Sequence, residues 1–151
     1  MPDSKMLEVF RQSRTFQDKY TYFILAAAAS AIAFAVNRTQ EATVDYIMIP
    51  LGAAVLCWGF SFYFGCRHLR YVGSNLYANM GLLKVEKGIY PGVGTDAQRM
   101  QAAIEGIKIA MESNSNKANR LSIWQFRLLI AGALFYLSWH FIEMLFRTIC
   151  F

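Results

Sequence analysis

Within the apolar stretch LSWHFIEMLFR stand His140, Glu143 and Arg147, three and then four residues apart. An imidazole titrates near neutrality and a carboxylate accepts protons or binds cations, so this trio has the ingredients of a proton or cation path. On a helix, Gly132, Tyr136, His140, Glu143 and Arg147 follow at steps of four, four, three and four, which places them on one face. Leu134, Leu137, Phe141, Met144 and Leu145 then point elsewhere. One histidine and one acid fall short of the three or four ligands a metal centre needs, so no metal and no cofactor is expected.

Two readings of the trio stay open. Ionisable groups inside a membrane mark functional paths by default. Glu143 and Arg147 also form an i,i+4 pair of the favoured polarity, and polar bonds between helices are common membrane glue. Arg38 and Asp45, with Asn37 and Glu41, end or follow the first span and reach about the same depth as His140. The cluster His140, Glu143, Arg147, Arg38, Asp45 and Tyr136 is therefore a polar clamp or the lining of a path. The Asn37–Arg38–Thr39 sequon lies in a loop too short and too near the bilayer for glycosylation.

The elements that would hold these residues are three apolar blocks: Tyr20 to Val36, Tyr46 to Cys66 and Leu128 to Phe146. Of the 151 residues, 56% are hydrophobic and 17% charged, below the ~25% charge of soluble domains. A helix needs about 20 apolar residues to cross the hydrocarbon. Arg127 and Arg147 bracket the third block at about 30 Å, one at each edge. The fold class expected is an all-α integral membrane protein, with three transmembrane helices and a cytoplasmic helical hairpin between the second and third. Residues 1–19 form an amphipathic N-terminal helix, 20–66 the first two spans with an outer loop at 37–45, 67–122 the helical module, 123–147 the third span and 148–151 an outer tail. Block one also has a signal-peptide reading, but the long leader with three acidic residues argues for a retained helix.

Orientation follows the positive charges. The N-terminal tail carries Lys5, Arg11, Arg14 and Lys19, and the segment from Arg67 to Ser122 carries eight Lys or Arg, against Arg38 alone in the loop between the first two blocks. The N-terminus and residues 67–122 belong in the cytoplasm and the C-terminus outside, with a bacterial inner membrane as the expected setting. Arg67, Arg70 and Arg127 anchor the inner interface. Topology thus accounts for most of the net charge of +5, and no nucleic-acid partner is required. Cys57, Cys66 and Cys150 have no metal-ligand spacing and make no disulfide framework.

The segment 67–122 begins with Leu69, Leu76 and Leu83 seven apart, a helix face that the second span can continue into without a break. GIYPGVGTD breaks the chain, and Thr95 with Gln98 has capping-box spacing. Its glycines need only a turn; the lysine and hydroxyl of a phosphate loop are missing. The following helix carries Met100, Ala103, Ile104, Ile107 and Met111 on one side, which should pack back on the preceding helix. NSNKAN then forms either a polar joint or a turn of one long helix.

Small residues at close-packing spacing point to self-association: Ala26, Ser30 and Ala33, the parallel line Ala27, Ala31 and Ala35, and Gly52 with Gly59. The spans carry no midplane carboxylate of the kind coupled carriers use, and no catalytic pair, zinc motif or nucleotide fingerprint occurs. The function expected is non-enzymatic: a homo-oligomeric membrane protein, pore-forming or membrane-perturbing, controlled by its cytoplasmic module. Small bacterial membrane effectors of conflict and antiviral defence share this layout, an analogy of layout alone. The alternative is an accessory or scaffold subunit that binds a cytoplasmic protein partner through residues 67–122. A membrane enzyme using His140 and Glu143 ranks third.

Overall fold

The computed structural model describes residues 2–39, 46–94 and 96–149. They form three long helices, α1 (Pro2–Arg38), α2 (Ile49–Glu86) and α3 (Ala97–Ile149), with a short 3-10 turn at Tyr46–Met48 before α2. Among the described residues there is no strand. All three helices are long and apolar enough to cross a membrane.

Each helix outruns its apolar block. The expected N-terminal helix and the first span are one element, because no glycine or proline separates Lys19 from Tyr20 and Pro2 sits in the first turn, where it is tolerated. The NSNKAN segment is a stretch of α3, not a joint. Asparagine and serine lower helix propensity only modestly, and Ala118 within the segment is buried.

The ends of α2 and α3 that meet the turn are well determined chemically. The amide of Ile89 donates to Lys84 O at 3.0 Å and that of Gly88 to Val85 O at 2.9 Å. These are the two bonds of a Schellman motif, and Gly88 takes its left-handed position at φ 68°. The cap of α3 is Asp96: its Oδ1 accepts from the Gln98 amide at 3.0 Å. Thr95, the residue the capping-box spacing selects, lies outside the described residues, as do Glu41 and Asp45.

The chain divides into two units, Met1–Gly65 with Ile123–Phe151, and Cys66–Ser122. In unit 1 the core is Ala35, Leu51, Ala54, Trp58 and Trp139, with Ala31, Ile32, Val55, Leu129 and Tyr136 packed around it. In unit 2 the two helical arms pack as a hairpin around Val85 and Ala118. The α3 residues Met100, Ala103, Ile104, Ile107 and Met111 are all partly covered, as their spacing predicts. The leucine face of α2 behaves differently: Leu76 and Leu83 face outward, and the arm packs through His68, Tyr71, Asn75, Ala78 and Leu82 instead.

Candidate functional site

Among the described residues of unit 1 the buried polar side chains are Thr21, Ser61 and Gln125. Ser61 is fully buried, and its hydroxyl donates to the Gln125 carbonyl at 2.7 Å. Trp58 Nε1 donates to the Leu129 carbonyl at 3.2 Å. Both bonds tie α2 to α3 through carbonyls that already serve the α3 ladder. In an apolar surrounding such side-chain bonds hold helices in register.

Two glycines make this approach possible. A Cβ at Gly132 would lie 2.5 Å from Trp58 Nε1, and one at Gly65 would lie 2.5 Å from Gln125 Nε2 and 2.6 Å from Leu25 Cδ2. Around Tyr136 an aromatic cluster joins the three helices: Phe34 from α1 at 6.2 Å, Trp58 from α2 at 5.8 Å and Trp139 from α3 at 5.5 Å between ring centroids. Gln125 is the exception to full satisfaction. It is 1% exposed, yet its Nε2 has no hydrogen-bond partner among the described residues.

Unit 2 carries a polar seam between its arms. His68 Nδ1 donates to the Ala118 carbonyl at 2.8 Å, which requires the proton on that nitrogen. Asn114 donates to Ser74 Oγ at 3.2 Å. The Tyr71 ring is flanked by two cations, the Arg67 guanidinium at 5.7 Å and the Lys117 ammonium at 5.9 Å.

The residues that sequence spacing puts on one face of α3 differ in exposure. Gly132 is buried, Tyr136 and Glu143 are partly covered, and His140 is exposed on the outside of the unit. The helix turns Trp139 inward in place of His140, since a 3.6-residue period carries Gln125, Gly132 and Trp139 along the packed side. The Arg147 side chain and Asp45 lie outside the described residues, and Arg38 is exposed at the end of α1. Arg70 and Arg127 are exposed; Arg127 stacks over the Trp124 ring at 5.7 Å. The small residues Ala26, Ser30, Ala33, Gly52 and Gly59 are all exposed, whereas Ala27, Ala31 and Ala35 are covered by the chain itself.

Gln125, Trp58, Ser61 and Gly65 escape a reading of the spans alone. Gln125 lies outside the apolar block that begins at Leu128, and the signal that finds it is its seven-residue spacing to Gly132 and Trp139. Among the described residues no three histidine, cysteine or acidic side chains come together to hold a metal. No protein family, no curated protein and no solved structure matches the chain.

Proposed function

We propose that this multi-pass membrane protein acts by assembling with copies of itself, as a pore-forming or membrane-perturbing component rather than an enzyme. The observation that supports this is a contrast among glycines. Gly65 and Gly132 are needed by the chain's own packing, but a Cβ at Gly52 or Gly59 would meet nothing within 4 Å. Glycine in a helix costs about 1 kcal/mol against alanine, and nothing among the described residues offsets that at Gly52 and Gly59. A second helix approaching closely from outside does.

Only 28%, 22% and 11% of the most apolar windows of the three helices are buried within the chain. Lipid and neighbouring copies cover the remainder. The interior of unit 1 is filled by Trp58, Ser61, Gln125 and Tyr136, so a path across the membrane would run between copies. Ser30, Ser138 and His140 are among the polar side chains exposed along the apolar stretches and would line it. In this reading the N-terminus and unit 2 are cytoplasmic, and unit 2 controls assembly.

Dye release from liposomes tests the activity. Purified protein should release dye, and Gly59→Leu should abolish release by keeping copies apart. Intact liposomes with wild-type protein would reject the pore and leave the scaffold reading, which the exposed Tyr77 and Ile109 of unit 2 favour as docking residues.

A further inference from the structure

In unit 2 the outward side of α2 is apolar. Leu76, Met80 and Leu83 are 47%, 50% and 49% exposed, Leu69 and Gly73 are partly covered, and Cys66 is exposed. About 20 apolar residues are enough to cross ~30 Å of hydrocarbon. With the uncharged block ending at Cys66 and Arg67 and Arg70 following it, this stripe stands beyond the lipid. Exposed leucines there face water unless something covers them.

We infer that a second copy of α2 covers the stripe, in parallel orientation, with Cys66, Gly73 and Met80 at the first core position of each heptad and Leu69, Leu76 and Leu83 at the fourth. The inference rests on the self-assembly proposed above and names its contact. Three features select this occupant. A seven-residue repeat fits another helix carrying the same repeat, and a bilayer holds identical chains at one depth, so each leucine meets its own counterpart. A Cβ at Gly73 would meet nothing within 4 Å, which leaves room for a close helix, and the count runs back along α2 through Gly59 to Gly52.

The flanking residues set the direction. Arg70, Tyr77 and Lys84 lie on one flank of the stripe, and Gly65, Val72 and Asn79 on the other. In a parallel pair opposite flanks meet, so Val72 faces Tyr77 and Asn79 faces Lys84 of the other copy, with no like charges opposed. An antiparallel pair sets like flanks together and brings Arg70 against Lys84, a repulsive contact.

Disulfide trapping in native membranes tests the contact. The background is Cys57→Ala with Cys150→Ala, which keeps the native Cys66. In the same background without Cys66, single cysteines are placed at Gly73, at Met80 and at Ile109, an exposed apolar residue of α3 off the stripe. Disulfides need Cα atoms within about 4.4–6.8 Å. Mild oxidation should give a covalent dimer at Cys66, Gly73→Cys and Met80→Cys alike, and leave Ile109→Cys monomeric. Linkage at one stripe position only would show antiparallel pairing and overturn the orientation. Linkage at Ile109→Cys alone, or at none, would overturn the contact. The mass in mild detergent separates the levels: a multimer without stripe linkage removes this contact and keeps self-assembly, whereas a monomer removes both.

Discussion

The inward and outward faces of α2 carry glycine for opposite reasons. Inward, Gly65 and its α3 counterpart Gly132 lie where a Cβ would strike Gln125, Leu25 or the Trp58 indole. Outward, Gly52, Gly59 and Gly73 border empty space. The same residue type thus serves a contact already made on one side and, under the proposed self-assembly, leaves room for another copy on the other. Composition alone cannot tell these apart; the position of each Cβ against its neighbours can.

The largest effect should come from the inward set. Gly132→Ala pushes a methyl group into a rigid, buried indole that is itself held by its bond to Leu129. Overpacking of this kind costs about 1–3 kcal/mol, and thermal unfolding in detergent should show a clear loss. Gly65→Ala meets only the ends of two flexible side chains and should lose less. If the two variants were equally stable, the distinction between rigid and yielding obstacles would fail.

Next comes Ser61→Ala, which removes the buried bond to the Gln125 carbonyl. A loss of about 1 kcal/mol is expected by the same assay, in line with the net worth of a hydrogen bond. Gln125→Met should move the other way. It keeps the volume and removes a buried amide nitrogen with no partner among the described residues, so stability should rise by about 1 kcal/mol. A fall would show that the amide has a bond the single chain does not reveal.

The smallest effect on the chain's own stability should come from Gly59→Ala, where the added methyl meets nothing and helix propensity gains slightly. Its effect should appear instead as weaker association, read from the dimer fraction by energy transfer between labelled copies in vesicles. Loss of chain stability with association unchanged would reverse the assignment of the two faces.

Much of the architecture was legible in the sequence. The three apolar blocks, the glycine-rich break after Lys87 and the packed side of α3 from Met100 to Met111 all follow from charge-free length, turn chemistry and helical spacing. What was not legible depends on rotation about the helix axis. Steps of four, four, three and four link Gly132 to Arg147, yet a line through Gln125, Gly132 and Trp139 satisfies the same geometry and has the larger, flatter side chain to pack. Trp139 takes the interior, and His140 is left outside. The leucine line of α2 misleads in a similar way, because polar His68 and Asn75 face α3 while Leu76 and Leu83 do not. In a chain whose surface is itself apolar, hydrophobicity does not identify the inward face.

Self-assembly carries the account, and the mass of the detergent-purified protein, by light scattering corrected for bound detergent, tests it most directly. The account predicts a defined multimer of the 17.2 kDa chain, reduced in mass by Gly59→Leu and unchanged by Ser61→Ala. A monomer at every concentration would contradict it and return Gly52, Gly59 and the α2 stripe to the surface of a solitary chain.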